Sequence, residues 1–318
     1  MINFIIAFAT YDSTKHINHA KWVDTNDGKI ILATIQAIRN INTIHSKIDK
    51  KIILVDNTNT FPDIELPNLE IIKGWQYLPE DEVMELAKMN DIVIDNIKTQ
   101  SMWASLAYNV GIAHAKKDSK CTYIILQHND IVYHQNVNLY EMIQEMDQMN
   151  YKYVSLDYKK VTLSAYATHK KLFDTYTDNL KNTHGISALD GGYLKTKNLG
   201  LADCYFFLAA KEFFDDYKVD WEYGDSNHGA TIKCLKNGWT NLHLGPYYDN
   251  PNFETEKLQS SMNGNKNVGA RTYEYQLVPF VTHLKGGFSE HKMSNPLYEK
   301  ELTEYLNTLD LETNKTKI

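Results

Sequence analysis

Residues 122–127 read Thr-Tyr-Ile-Ile-Leu-Gln, a nearly unbroken apolar run that ends abruptly at the polar triplet His128-Asn129-Asp130. A strand without polar alternation has no face to offer to water, so the segment predicts a central strand covered on both sides, as in parallel sheets flanked by helices. The chain before it fits such a sheet. Residues 2–9, 51–56 and 69–73 are further short apolar strands, with an edge-like one at 92–95. Between them, residues 28–44 place Ile31, Ile35, Ile38 and Ile41 at helical spacing. Residues 79–89 open with Pro79 and the acids Glu80, Asp81 and Glu82, which suit a helix start, and residues 100–115 read as another helix. Strands alternating with helices predict an α/β fold whose Rossmann-like mixed sheet carries helices on both faces. Ligands bind such sheets at the carboxyl ends of the strands, which makes His128-Asn129-Asp130 a candidate site by position alone.

The second half is less regular. Residues 137–149 are helical, 201–207 read as a strand, 211–216 as a short helix, and 229–237 as a helix stopped by Gly238. Residues 311–318 are polar and predict a disordered tail. With 318 residues and 43% hydrophobic content, one large domain with extensions is expected. No apolar run reaches the roughly 18–20 residues of a membrane span, and the apolar start lacks a basic leader, so a cytoplasmic protein without membrane insertion is expected. Cys121, Cys204 and Cys234 are too scattered for a disulfide framework or a zinc site and read as core thiols. The net charge of −7 counts against a general polyanion binder. Residues 151–200 nevertheless hold eight lysines against four aspartates, with six tyrosines among them. That composition suits an anionic or stacking acceptor, and more simply a solvated loop over core tyrosines.

Taken in order, several motifs resemble one known family. Residues 104–115, with Asn109-Val-Gly111 inside them, followed by residues 123–131, resemble the asparagine-x-glycine helix and the aspartate-x-aspartate strand end of family 2-like, GT-A-fold glycosyltransferases. Residues 5–12 resemble that family's nucleotide-binding first strand and turn, and residues 52–58 its second strand. Residues 201–215 resemble its acceptor-side strand and short helix, and residues 222–239 its acidic motif. The sequence Val281-Thr-His283-Leu-Lys285-Gly-Gly resembles the late histidine that many such enzymes bring back to the metal.

The resemblance implies an enzyme that moves a hexose or pentose from a nucleotide diphosphate donor, a UDP-sugar first among them, to a hydroxyl of a saccharide or glycan by an inverting route. Residues 1–135 would form the donor half and 136–310 the acceptor half of one GT-A domain. It places Tyr11, Asp12 and Asp56 at the nucleotide, with Asn109, Gly111, His128, Asn129 and Lys285 elsewhere around the donor. It makes Asp130 and His283 ligands of Mn²⁺ or Mg²⁺, gives Asp225 or Glu222 the role of general base, and sets Asp203 against the acceptor. The chain departs from the pattern at two places. His128 stands where the family has its first acid, and Ser226 follows Asp225 where an acid pair is usual. Imidazole is a softer ligand than carboxylate, so metal contact, a hydrogen bond to diphosphate, and neither of these all stay open for His128.

Plainer roles compete. Asp130 suits an N-cap for a helix starting near Val132. Asp56, Tyr11 and Asp12 suit turns, Asn109 and Gly111 suit close packing of helix on sheet, and a lone histidine after an apolar strand is commonly structural. Two other functions fit parts of the sequence. One is glycosylation of a hydroxymethylated base in viral DNA, resting on the lysine- and tyrosine-rich stretch; the other is a non-catalytic glycan-binding descendant of the fold, resting on His128 and the missing acid.

Overall fold

A computed structural model describes residues 1–8, 27–56, 61–73, 100–134, 138–156, 186–190, 193–196, 202, 205–219, 228–244, 271–276 and 278–283. In chain order the elements are β1 (Ile2–Phe8), α1 (Asp27–Ile44), β2 (Lys50–Asp56), β3 (Leu69–Lys73), α2 (Gln100–Lys117), β4 (Tyr123–His128), β5 (Ile131–Tyr133) and α3 (Leu139–Gln148). There follow β6 (Tyr153–Leu156), β7 (Ile186–Asp190), β8 (Tyr193–Thr196), β9 (Phe206–Ala210), a 3₁₀ turn (Lys211–Asp215), α4 (His228–Asn237), β10 (Leu242–Leu244), β11 (Arg271–Tyr275) and β12 (Val278–His283).

The main sheet has seven strands in the order β10-β6-β9-β4-β1-β2-β3. Only β9 is reversed, lying antiparallel to both β4 and β6. The fold is therefore the mixed α/β sheet that the alternating pattern predicts. Each inner strand is buried on two faces, which explains its unbroken apolar sequence. On one side Phe4, Ile6 and Phe8 of β1 pack with Ile38 and Ile41 of α1 and Met142 and Met146 of α3. On the other side Ile5 packs with Ala107, Ile112 and Ala115 of α2, and Phe207, Phe213 and Phe214 continue that core.

Local signals set the helix ends. Asn138 precedes α3, and its side chain accepts the Glu141 amide at 3.4 Å. Gly238, at φ +64°, follows α4, and the Trp239 amide reaches back to the Cys234 carbonyl at 2.9 Å, the contact of a Schellman stop.

The second half differs from expectation in two ways. The strand expected over 201–207 lies at Phe206–Ala210, where its apolar run fills the slot between β4 and β6, with Ala210 opposite Tyr123. The helix considered after Asp130 is instead β5, which joins β11 and β12 in a separate three-stranded sheet. The elements expected over 79–89 and 92–95, and the tail, lie outside the described residues. No described helix is long and apolar enough to cross a membrane. Cys121 and Cys234 are free and buried, and burial pushes their thiols up to about 11 and about 12.

Candidate metal centre

The register of the central strands sets out a common rim. β1 runs parallel to β2 and β4, pairing Phe8 with Asp56 and Ala7 with His128. Their carboxyl ends therefore finish side by side. After His128 the chain turns at Asn129-Asp130 and enters β5, where Ile131 lies opposite His283 of β12. Backbone pairing thus delivers a histidine from near the end of the chain to the residue next to Asp130.

The three side chains meet there. His283 Nε2 lies 3.6 Å from Asp130 Oδ1, and His128 Nδ1 lies 3.9 Å from the same oxygen. One potential ligand atom from each residue falls within 4.8 Å of the others. Asp130 and His283 are 5% and 2% exposed and His128 is 28% exposed, so the cluster faces solvent through His128. Because β5 follows directly, Asp130 has no helix to cap, and that competing role falls away.

The supports are specific. The side chain of Asn129 donates to Thr34 Oγ1 of α1 at 3.1 Å. Asn40 of α1 holds β5 with two bonds: its Nδ2 donates to the Tyr133 carbonyl at 3.0 Å, and its Oδ1 accepts the Tyr133 amide at 2.7 Å. On the far side His134 Nε2 lies 2.8 Å from Thr282 Oγ1. The Tyr205 ring lies 3.9 Å from that of His283 and meets His128 edge-on at 4.5 Å, while the Tyr205 carbonyl accepts the His128 amide at 3.1 Å. The Tyr108 ring lies parallel to that of His128, 6.4 Å away. Enclosure among these groups lowers the His128 imidazole to about 4, with Asp130 opposing the fall and His283 adding to it. His128 is neutral near pH 7, the form in which imidazole has a lone pair to give. Sequence reasoning did not single out Tyr108 or Tyr205; the only local cue was their closeness in sequence to Asn109 and Asp203.

The remaining candidates divide into two groups. Asp56 ends β2 on the same rim, fully buried, and its Oδ2 accepts the Phe61 amide at 2.8 Å. Asn109 spends its side chain on the backbone of Val219, donating to the carbonyl at 2.7 Å and accepting the amide at 3.0 Å. A Cβ on Gly111 would stand 2.3 Å from Ile5 Cγ2. These contacts are the close packing of helix on sheet that competes, for Asn109 and Gly111, with the donor contacts the resemblance implies. Tyr11, Asp12, Asp203, Glu222, Asp225 and Lys285 lie outside the described residues.

The cluster fits a divalent cation. Both ring nitrogens of His283 are buried without a hydrogen-bond partner, an arrangement that costs about 1–3 kcal/mol for each stranded group unless something occupies the space. Separations of 3.6 and 3.9 Å are too long for hydrogen bonds. They leave room for an ion, which imidazole and carboxylate bind at roughly 2.0–2.2 Å.

No protein-family model matches the sequence, and no curated protein matches it. Among solved structures, the galactosyltransferase LgtC in complex with donor and acceptor sugar analogues aligns at 7% identity and a TM-score of 0.37, over 75% of this chain and 72% of that one. The apo form of mouse xyloside xylosyltransferase 1 aligns at 10% identity and a TM-score of 0.34, over 76% of this chain and 78% of its own. Core-mannan synthase A from Aspergillus fumigatus, in its Mn/GDP form, aligns at 12% identity and a TM-score of 0.37, over 74% and 64%. Likeness at this level does not reach activity.

Proposed function

We propose that this chain transfers a sugar from a nucleotide diphosphate to a hydroxyl of a saccharide or glycan. The observation that carries the reading is the His128–Asp130–His283 cluster at the carboxyl-end rim of a helix-covered, largely parallel sheet. That rim is where such sheets bind nucleotides. A divalent ion held there supplies positive charge to a departing diphosphate.

The chain's own residues do the rest. Asp130 and His283 hold the ion, Mn²⁺ or Mg²⁺. His128 and Asn129 flank it on the donor side, and Asp56, ending β2 on the same rim, is assigned to the nucleoside. Tyr11 and Asp12, just after β1 in sequence, are assigned to the base, with UDP the first donor to try. Lys285 is assigned to the diphosphate and Asp203 to the acceptor. In an inverting transfer the acceptor oxygen bonds the anomeric carbon as the bond to diphosphate breaks, and Asp225, or Glu222 in its place, takes the acceptor proton.

Thermal unfolding across a panel of nucleotide diphosphates and nucleotide sugars, with and without Mn²⁺, tests the reading alongside mass spectrometry of the products. One nucleotide should stabilise the protein by about 2.7 kcal/mol at 100 times its dissociation constant, and only with the ion present. Asp130→Asn should fold and lose both that shift and turnover. A panel without any shift in either condition removes the proposal.

A further inference from the structure

We infer that His128 is a third protein ligand, so that the centre selects a borderline first-row ion such as Mn²⁺, Fe²⁺, Co²⁺ or Zn²⁺ and discriminates against Mg²⁺. His128 and Asp130 flank one residue in the turn from β4 to β5, and His283 enters from β12 directly opposite. All three can offer one ligand atom within a 4.8 Å span. The His128 ring meets Tyr205 edge-on at 4.5 Å and lies parallel to Tyr108 at 6.4 Å. In that setting its Nδ1 is the atom 3.9 Å from Asp130 Oδ1.

The donor set then decides the ion. Two imidazoles and one carboxylate are a mixed set suited to Mn²⁺, Fe²⁺, Co²⁺ and Zn²⁺. Mg²⁺ demands oxygen ligands in near-ideal octahedral geometry and gives up water reluctantly, so two of these three positions suit it poorly. Charge points the same way toward function. Asp130 cancels one of the ion's two charges, whereas a carboxylate at position 128 would cancel both. The centre therefore keeps a net positive charge, in a protein whose formal charge is −7. Three protein ligands leave the remaining coordination positions to solvent and substrate oxygens. That those oxygens belong to a diphosphate rests on the proposed function; the ion preference does not.

Nucleotide-free protein provides the test. Calorimetric titration with Mg²⁺, Mn²⁺, Co²⁺ and Zn²⁺, together with the visible absorption of the Co²⁺ form, reads the ligand set without reference to activity. Wild type should bind Co²⁺ and Zn²⁺ at least about 100-fold more tightly than Mg²⁺. His128→Ala should weaken Co²⁺ binding about tenfold or more and change its absorption bands. His128→Asp, which restores an oxygen donor, should narrow the gap between Co²⁺ and Mg²⁺ by about tenfold. Far-ultraviolet circular dichroism confirms folding; if the alanine variant unfolds, the aspartate variant decides. Unchanged Co²⁺ affinity and spectrum in the folded variants, or Mg²⁺ bound as tightly as Co²⁺ by wild type, overturns the inference. The two proposals fail separately. Selective ion binding with no response to any nucleotide sinks the transferase reading alone, and a nucleotide response supported equally by Mg²⁺ sinks this one alone.

Discussion

Gly111→Ala isolates the contact that brings α2 onto the sheet. The added methyl would stand 2.3 Å from Ile5 Cγ2 and 3.4 Å from Ile5 Cβ and Cδ1. Carbon atoms in contact keep about 3.5–4.0 Å, so the first separation falls short by more than about 1 Å. Ile5 has little freedom to yield, being fully buried in β1 between two paired strands and stiff at χ1. The helix must move off instead, opening gaps along Ala107, Ile112 and Ala115. Overpacking of this kind costs about 1–3 kcal/mol, and the upper part of that range applies because the obstructing atom is bonded directly to Ile5 Cβ. Alanine's helix preference over glycine returns about 0.8–1.0 kcal/mol. The net loss is about 1–2 kcal/mol, or roughly 2–8 °C in melting temperature at the 2–4 °C per kcal/mol typical of larger domains. Urea unfolding of wild type, Gly111→Ala, Ile5→Ala and the double variant reads it. The double variant should be more stable than the sum of the single losses predicts, by about 1–2 kcal/mol. Nucleotide affinity should hardly change. If Gly111→Ala keeps full stability and loses nucleotide binding, Gly111 meets the donor and the packing account is wrong.

Two further predictions concern buried polar groups. Asn109→Ala strips both partners from the buried Val219 backbone and should cost about 2–4 kcal/mol in urea unfolding; a loss below about 0.5 kcal/mol would show that water replaces the side chain without penalty. Burial lowers His45 to about 3 and His134 to about 4, against 6.5 for free histidine. As pH falls below 6.5 the unfolded chain takes up these protons first, so stability is complete above that point and declines toward pH 4. Urea midpoints should drop steadily from pH 7.5 to 4.5, and His45→Phe should flatten part of the slope. A midpoint independent of pH over that window contradicts the burial of neutral imidazoles.

Much of the first half could be read directly from the sequence, and the reason is local. β1, β2, β3 and β4 are apolar because helices cover the sheet on both faces, and α1 carries its isoleucines on the face it buries. β5 was not legible. Its three residues make their ladder with β12, and nothing nearby in sequence announces a strand, so Asp130 also suited a helix cap. β9 was displaced because alanines at its end contribute little to an apolar run, although Ala209 is fully buried against β4 and β6. At the site, Asp130 was legible from its place after a buried strand. Its meeting with His283, which the resemblance implied, comes about through the β5–β12 ladder between distant segments, and no local sequence pattern announces that register. For Asn109 and Gly111 the contacts seen are those of helix packing, the plainer of the two roles the sequence allowed.

The His134–Thr282 contact joins residues 148 positions apart, and the β5–β12 ladder beside it places His283 against Asp130. An ion needing both residues cannot be gripped until the two remote stretches have docked. Loop-closure entropy makes such docking slow and late. Cation capture would then act as a latch that fastens the finished molecule, and chelators should hasten unfolding by releasing it.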